Sequence, residues 1–388
     1  MTGVATPSLT IGGRLRAIAA PTLVTRGLAL VAAALALALL PLSPWAPAGK
    51  AVPGLIGALS RWDANHYVTI ARDGYPAGTD EIAFSPLYPL AIRLVHALIG
   101  RLPMEVDAYR VAAVLVANAA MVAAVLLLAE LARGEGGERG AGGEGFAGRA
   151  TWALLVFPTS VFLSVAYSES LFLALTIGVA VALRRDRWIL AGGLGALAAL
   201  SRPQGVLIVA LIAAEALAGR DRLHDRRAWL HAAIAVVLPG LALLGWMAWQ
   251  AAMLGDPLAF VHVQGGWARG LVLPWDTFLR FFGGPLTVHS GLHSLVDLAF
   301  TLGAAALVVA AWRTERWPLA AYATLLLIVP LCTGTLLSMP RFALGIFPIF
   351  LVLGRLMARP STERAVLVAG SGGLALAAAL FTGYFWVS

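Results

Sequence analysis

The amino-acid sequence predicts an all-α protein that crosses a membrane many times. Its 388 residues are 60% hydrophobic and only 12% charged, whereas soluble domains are nearer to half apolar and a quarter charged. Apolar runs of about 20 residues, the length that spans a bilayer as a helix, recur along the chain. The 28 basic residues, of which 27 are Arg, fall largely in the gaps between these runs. A soluble enzyme is therefore excluded, and the arginines are interpreted as membrane orientation signals rather than as a nucleic-acid surface.

Eleven spans are predicted, with the N-terminus in the cytoplasm. Six runs are read as single spans, at 26–41, 110–131, 229–250, 292–312, 318–337 and 365–387. Two longer stretches, 151–184 and 188–218, have Arg clusters at both ends. Clusters on one side of a membrane require an even number of crossings between them, so each stretch is predicted to be a helical hairpin that turns near 167–169 or 201–203. A short last span covers 342–357, and the segments placed inside then hold 18 of the 28 basic residues.

The whole chain, 1–388, is predicted to be one integral domain of the plasma membrane with two long outer loops. These loops, 42–109 and 251–291, far exceed the usual connection of about 4–6 residues, and long loops on one side of a bundle usually carry function. Residues 133–149 are rich in Gly and charge, and are predicted to be a flexible cytoplasmic linker. A lone cysteine, Cys332, excludes a disulfide framework.

The first outer loop carries the candidate catalytic residues. At helical spacing Asp63, His66 and Tyr67 share one face, so the carboxylate and the imidazole are expected to be neighbours. A second, amphipathic helix is predicted over 84–100, with prolines in its first turn. Both helices are expected to lie in the outer membrane interface rather than to cross it. The structural alternative is that Asp63 only forms a salt bridge with Arg61.

Three sets of residues, in this order along the chain, resemble one family of membrane enzymes. They are Trp62-Asp63 through Tyr75 with Ala83 through Leu90, then Phe157 through Phe172, and finally Ser201-Arg202 with Pro340-Arg341-Phe342. On these motifs the chain resembles the PIG-V (GPI mannosyltransferase 2) family, within the GT-C superfamily of membrane glycosyltransferases. Its Arg-rich, Lys-poor composition looks like that of a bacterial member. The resemblance implies a GT-C-like multi-span fold, a catalytic acid in the first outer loop and a lipid-phosphate sugar donor.

The chemistry of such a donor fits the residues at hand. A polyprenyl-phosphate sugar already has a good leaving group, so one carboxylate suffices as general base. Asp63 is predicted to be that base, and His66 either orients it or binds the acceptor. Fixed cations are needed to stabilise the charge that develops on the departing phosphate. Arg202 and Arg341, at the predicted outer helix ends, are predicted to bind this phosphate because a guanidinium fits phosphate oxygens. The alternative for these arginines is snorkelling to the headgroups.

Five further residues are predicted to contact substrate, namely Trp62, Tyr67, Tyr88, Arg93 and Glu169. Glu169 has an equal alternative, since Ser168 and Glu169 are also typical of a helix start. In the second outer loop, Asp256-Pro257 predicts the start of a short helix. Four more side chains are candidates for the cavity wall, Gln264, Trp267, Trp275 and Asp297.

The sequence thus predicts an inverting glycosyltransferase, a mannosyltransferase that uses a polyprenyl-phosphate donor. Its acceptor is expected to be a glycolipid or glycan on the outer membrane face. No cofactor is expected, and no metal, because no second His or Cys is spaced to join His66. The alternatives are a lipid or oligosaccharide flippase or transporter, and a non-catalytic membrane subunit. A transporter is expected to have repeated halves and polar groups at the midplane, whereas the polar residues here concentrate in outer loops.

Overall fold

The computed structural model describes residues 11–46, 54–76, 78–103, 106–138, 143–289 and 291–387. Within these ranges the chain forms helices and no β-strand. The α-helices are α1 (Ile11–Leu39), α2 (Gly54–Ala58), α3 (Ala64–Asp73), α4 (Leu87–Ile99), α5 (Ala108–Glu138), α6 (Gly143–Leu155), α7 (Glu169–Arg184), α8 (Trp188–Ser201), α9 (Ile208–Ala218), α10 (Arg226–Leu254), α11 (Ala259–His262), α12 (Pro274–Phe282), α13 (Leu295–Thr314), α14 (Trp317–Leu331), α15 (Met339–Gly345), α16 (Pro348–Leu356) and α17 (Pro360–Thr382). Short 3-10 segments cover Asp80–Ala83, Pro158–Leu163, Pro203–Leu207, Arg220–Arg222 and Val263–Trp267.

Five helices of the described chain are long and apolar enough to cross a membrane, namely α1, α5, α10, α13 and α17. The predicted all-α, multi-span fold class is confirmed, while the number of eleven spans stays a prediction. The predicted span 342–357 is broken, because α15 and α16 meet at an angle of 83°. Ile346, directly after α15, has a φ of −84° and a ψ of 71°, and this non-helical residue separates the two helices.

Two helix ends lie where the sequence analysis placed breaks, since α7 begins at Glu169 and α8 ends at Ser201, while the two hairpins stay a prediction. The turn before α7 is stabilised by Arg26 of α1. Its guanidinium donates to the carbonyls of Leu155 at 2.8 Å and Ser160 at 2.7 Å, and to the Ser160 hydroxyl at 2.9 Å. These contacts supply donors to backbone carbonyls that the end of α6 leaves without helical partners.

We expect Arg26→Leu to destabilise the fold without touching the cavity described below. A hydrogen bond from a charged group contributes about 1.5–3 kcal/mol, and orphaned buried acceptors add to the loss. The free energy of unfolding should therefore fall by about 3 kcal/mol or more. Thermal unfolding in detergent checks this result against Arg313→Leu, an exposed arginine at the end of α13. Equal melting temperatures of the two variants would contradict the assigned role.

Residues 133–149, predicted as a flexible linker, are instead largely helical. Helix α5 continues to Glu138 and α6 begins at Gly143, while 139–142 lie outside the described residues. Arg133 pairs with Glu144 at 2.8 Å, and Phe146 is fully buried beside Gly136. One buried aromatic ring and an ion pair hold the two helices together. A glycine-rich composition does not indicate such contacts, so the sequence predicted a linker instead.

The bundle brings the ends of distant segments to one site. Helix α5 packs against α6 and α7, α8 packs against α7 and α10, and α1 packs against α17. The predicted helices of the first outer loop are present as α3 and α4, which pack against each other and against α5. As a result, α3, the end of α8 and the start of α15 surround one cavity.

Candidate functional site

A cavity of about 590 Å³ lies between the first outer loop, the turn after α8, the second outer loop and α15. Its size is within the range of about 300–1,000 Å³ typical of small-molecule sites. Most of its wall is apolar, and the polar side chains on it include Asp63, Tyr67, Arg202, Gln264, Arg269 and Arg341. The structure thus brings together the predicted base and both predicted phosphate-binding arginines.

Asp63 is held at the start of α3 by contacts from two other segments. Its backbone N–H donates to the hydroxyl of Tyr167 at 3.1 Å. Its carboxylate Oδ2 accepts a hydrogen bond from Nη1 of Arg341 at 2.7 Å. The side chain is 22% exposed and lines the cavity. A carboxylate with this access can accept a proton from a bound ligand.

Arg341 links Asp63 to a second carboxylate. Its Nε and Nη2 lie 2.8 and 2.7 Å from Oε1 of Glu169, and its guanidinium lies over the ring of Tyr167, 4.7 Å from the centroid. Ser338 directly precedes α15 with a φ of 72°, and this left-handed residue turns the chain into the helix that carries Arg341. Because the guanidinium is buried and held on three sides, its position is fixed before any ligand arrives.

Arg202 approaches the same carboxylate from the turn after α8. Its Nη1 lies 2.6 Å from Oε1 of Glu169. The turn depends on Gly205, since a Cβ there would lie 1.9 Å from the carbonyl oxygen of Ala198. Glu169 is only 2% exposed and does not appear among the described residues that line the cavity. It therefore holds the two arginines, while its predicted contact with substrate stays a prediction.

Arg269 is a third cation on the cavity wall, and the sequence analysis missed it. Its Nη1 donates to Oε1 of Gln264 at 3.1 Å and its Nη2 to the carbonyl of Leu337 at 3.3 Å. Nε is buried, with no hydrogen-bond partner in the described chain. Burial, aided by the charge of Arg341, lowers the pKa of Arg269 to about 10. The residue remains charged at neutral pH and forms no ion pair at salt-bridge distance within the described ranges.

The charges around the cavity favour an anionic ligand. Among the described lining residues, Arg202, Arg269 and Arg341 carry three positive charges against one negative charge on Asp63, a formal excess of two positive charges. Preorganised guanidinium groups stabilise charge that develops on a phosphate without having to rearrange. The arrangement can therefore bind a phosphate beside a carboxylate base.

In the described chain His66 pairs with Glu81 and forms no hydrogen bond with the Asp63 carboxylate, its expected neighbour. Its Nδ1 lies 3.1 Å from Oε1 of Glu81, and its ring stacks on Phe84 with centroids 4.7 Å apart. Arg341 binds the Asp63 carboxylate, and Glu81, fifteen residues further along the chain, binds the imidazole. Hydrogen bonds from Thr79, from its own backbone and from His66 outweigh the effect of burial and lower the pKa of Glu81. His66 thus supports Phe84, which lines the cavity.

Of the predicted substrate contacts, Tyr67 lines the cavity but Tyr88 and Arg93 do not. Tyr88 is fully buried and donates to the carbonyl of Ala113 at 2.8 Å. Nε of Arg93 donates to the carbonyl of Ala71 at 2.8 Å, near the end of α3. In the described chain the polar atoms of both side chains therefore bond to the backbone, and their contact with substrate stays a prediction. Burial and the charge of Glu169 raise the pKa of Tyr67 to about 12, so its hydroxyl is neutral and can only share hydrogen bonds.

The second outer loop supplies part of the cavity wall, as expected. Gln264 and Trp267 line the cavity, whereas Trp275 is 59% exposed on α12 and lies off the lining. The predicted start at Asp256 is confirmed in part, since its Oδ1 accepts from the N–H of Leu258, although α11 begins at Ala259. Asp297 is 3% exposed and does not reach the cavity within the described chain.

Comparison with known proteins gives a family match over most of the chain. A family model described as mannosyltransferase (PIG-V) matches residues 23–251. GPI alpha-1,6-mannosyltransferase 2 of Mus musculus is 32% identical over 210 residues, which are 53% of this chain and 39% of that protein. The same enzyme of Cricetulus griseus is 34% identical over 164 residues, 42% of this chain and 32% of that protein. The chain thus spans about two fifths or less of the length of these relatives.

A crystal structure of an oligosaccharyltransferase from Archaeoglobus fulgidus, tethered with an acceptor peptide, is also similar in its fold. The match covers 93% of this chain and 54% of that chain, at 14% sequence identity and a TM-score of 0.44.

Proposed function

Because this chain belongs to the mannosyltransferase (PIG-V) family, we propose that it is a membrane glycosyltransferase that moves mannose from a polyprenyl-phosphate donor to a glycolipid or glycan acceptor. One observation carries the proposal. The carboxylate of Asp63 and the guanidinium of Arg341 lie 2.7 Å apart on the wall of one cavity. A proton acceptor and a phosphate-binding cation therefore meet where sugar transfer requires both.

The proposed reaction is a single displacement at the anomeric carbon. The acceptor hydroxyl attacks this carbon and forms the new glycosidic bond, while the bond between the carbon and the phosphate oxygen breaks. The hydroxyl proton passes to Asp63, and the electron pair of the broken bond leaves with the polyprenyl phosphate. One displacement inverts the configuration at the anomeric carbon, and it needs one carboxylate rather than the pair used by glycosidases.

The three arginines neutralise the charge that the departing phosphate gains. Arg202 and Arg341 are held by Glu169, so they are oriented before the donor binds. Arg269 adds a buried Nε that has no partner within the described ranges. Preorganised donors of this kind act on the transition state more than on the ground state, because the phosphate charge grows as the bond breaks.

Transfer by the purified protein tests the proposal. Detergent-solubilised protein is incubated with membrane lipid extract and radiolabelled mannose, supplied as polyprenyl-phosphate mannose in one arm and as a nucleotide sugar in the other. We expect label in an extracted glycolipid or glycan only in the polyprenyl-phosphate arm. Label from the nucleotide sugar alone would contradict the proposed donor. Movement of labelled lipid across the membrane of reconstituted vesicles, with no mannose transfer in either arm, would favour a flippase.

We also propose that the cavity opens on the outer face of the plasma membrane, because the predicted inside segments hold most of the basic residues. Single cysteines in a Cys332→Ser background test this orientation. Positions 80 and 265 should react with an impermeant maleimide in intact cells, and position 221 only after permeabilisation. Labelling of position 221 from outside, with 80 and 265 protected, would reverse the assignment.

A further inference from the structure

Asp297 is a buried carboxylate that the proposed reaction does not use. It lies in the first turn of α13, is 3% exposed and does not line the cavity in the described chain. Its backbone N–H donates to Oγ of Ser294 at 3.3 Å, and its carbonyl accepts from the hydroxyl of Thr301 at 2.7 Å. A buried carboxylate is costly unless hydrogen bonds compensate it, so the groups that face the side chain indicate its role.

The partners of this carboxylate belong to the segment just before Arg341. The backbone N–H groups of Ser338 and Met339 donate to it, and α13 packs against α15. Oδ1 has no hydrogen-bond partner in the described chain, which leaves Oδ2 as the acceptor. Asp297 thus connects the first turn of α13 to the start of the helix that carries Arg341.

The backbone that Asp297 contacts is strained. Ser338 has a φ of 72°, in the left-handed region that residues with a Cβ rarely adopt. Its carbonyl accepts from the N–H of Arg341 at 3.0 Å, so the turn at Ser338 sets the direction in which α15 begins. A strained residue persists where its surroundings hold it, and the contact with Asp297 is one such support.

Arg269 holds the same peptide unit from the opposite side. Its Nη2 donates to the carbonyl of Leu337 at 3.3 Å, and this carbonyl shares one peptide bond with the N–H of Ser338. The two groups of a trans peptide point in opposite directions. A cation therefore binds the carbonyl and an anion, Asp297, binds the N–H, and hydrogen bonds to charged groups are the stronger ones. Together they fix the orientation of this peptide unit.

Arg341 depends on that orientation because its contacts are short and come from two carboxylates. Nη1 lies 2.7 Å from Oδ2 of Asp63, while Nε and Nη2 lie 2.8 and 2.7 Å from Oε1 of Glu169. A rotation of the peptide unit before α15 would move the helix and lengthen these contacts together. A misplacement of about 1 Å in a group that binds substrate can cost about 100-fold in rate.

We propose that Asp297 is a positioning residue, which holds the turn at Ser338 and thereby fixes Arg341 in the cavity. The consequence for the donor rests on the proposed function, in which Arg341 binds the donor phosphate. Arg269 has two roles, since it lines the cavity and also orients the peptide unit. Asp297 has only the second role, because it lies off the described cavity lining.

Chemical modification of Arg341 in the full-length protein tests the positioning without any ligand. Phenylglyoxal reacts with accessible guanidinium groups, and mass spectrometry follows the rate at the Arg341 peptide. Arg341 is 9% exposed and should react slowly in the wild type. In Asp297→Ala it should react roughly tenfold faster, the factor that corresponds to one lost hydrogen bond to a charged group. Arg26, held by backbone carbonyls away from the cavity, is the internal reference and should keep its rate.

A matched control separates positioning from a general loss of stability. Glu315 is another buried carboxylate, directly after the last residue of α13, and it pairs with Arg355. Glu315→Ala removes a buried carboxylate from the other end of the same helix, so it should destabilise the protein while Arg341 reacts at the wild-type rate.

Two rescue variants test the link through Ser338. Asp297→Asn keeps an oxygen acceptor at the same place, so Arg341 should react at a rate between those of the wild type and Asp297→Ala. Ser338→Gly, combined with Asp297→Ala, should restore part of the protection, because Gly adopts a positive φ without the cost of a Cβ.

Equilibrium binding of a polyprenyl phosphate measures the consequence for the donor. Asp297→Ala should weaken this binding about tenfold, Asp297→Asn should weaken it less, and Glu315→Ala should leave it unchanged. In steady-state transfer the Michaelis constant for the donor should rise in Asp297→Ala, while that for the acceptor stays at the wild-type value.

Wild-type reactivity of Arg341 in both Asp297 variants would overturn the proposal. Equal acceleration at Arg26 and Arg341, or the same acceleration of Arg341 in Glu315→Ala, would also overturn it and assign Asp297 to general stability. Faster modification of Arg341 with unchanged binding of polyprenyl phosphate would keep the positioning role and contradict the proposed donor site. The failure of the inference and the failure of the proposed function are therefore distinguishable.

Discussion

Replacement of Asp63 by Asn is expected to lower turnover by a factor of roughly 10²–10⁴, the range that general base catalysis contributes. Asn keeps the size of the side chain and removes its ability to take the acceptor proton. The Michaelis constant for the donor should stay near that of the wild type, because two contacts from Glu169 continue to hold Arg341 at 2.7 and 2.8 Å. Steady-state transfer of labelled mannose, with donor and acceptor varied separately, measures both constants.

Asp73→Asn is the matched control for this substitution. Asp73 is the last residue of α3, is exposed and lies off the cavity lining. Its replacement makes the same chemical change on the same helix, so turnover should remain near the wild-type value. Equal losses in the two variants would mean that the charge of α3, and not a base at Asp63, supports activity.

Arg341→Lys is expected to produce the largest loss of donor binding. A lysine retains the charge but cannot make the three contacts that the guanidinium makes with Asp63 and Glu169. Loss of one charged hydrogen bond costs about 1.5–3 kcal/mol, which corresponds to a weakening of donor binding by about 10–100-fold. Arg202→Lys should weaken donor binding less than Arg341→Lys does, because one ion pair joins Arg202 to Glu169 in the described chain. Equilibrium binding of a polyprenyl phosphate separates this effect from catalysis.

Arg72→Lys is the control for the loss of a guanidinium. Arg72 pairs with Asp107 at the surface and lies off the cavity, and exposed ion pairs contribute at most about 1 kcal/mol. Donor binding should therefore be unchanged in this variant. Wild-type donor affinity in Arg341→Lys and Arg202→Lys alike would assign both arginines to membrane headgroups instead.

The sequence was sufficient for the fold class and the family, for identifiable reasons. Apolar runs of spanning length and Arg clusters depend only on local composition, so they predicted the helical membrane fold. The motifs around Asp63, Arg202 and Arg341 predicted the family, which is confirmed. The structure brings these three residues to one cavity, although they are far apart in the chain.

Contacts between distant segments could not be predicted from local spacing. The i, i+3 rule paired His66 with Asp63, but it does not include competitors such as Glu81 and Arg341, which bind them in the structure. The hydroxyl of Tyr88 could bind a substrate as far as the sequence indicates. Only the packing of α4 on α5 shows that this hydroxyl donates to a backbone carbonyl.

Arg269 illustrates a signal that was present but unused. It lies in a predicted outer loop, on the side of the membrane that basic residues normally avoid. An arginine there needs a specific reason, and the structure supplies one, since it lines the cavity beside Gln264.

The central claim is that sugar leaves a lipid phosphate in the cavity lined by Asp63 and Arg341. Single-turnover transfer tests this claim most directly. Wild type, Asp63→Asn and Glu169→Gln are each loaded with radiolabelled polyprenyl-phosphate mannose and mixed with acceptor lipid extract. The wild type should transfer its bound label in one turnover, Asp63→Asn should keep the donor bound but untransferred, and Glu169→Gln should bind the donor poorly. Transfer by Asp63→Asn at the wild-type rate, with Glu169→Gln binding the donor normally but inactive, would contradict the account and place the base at the start of α7.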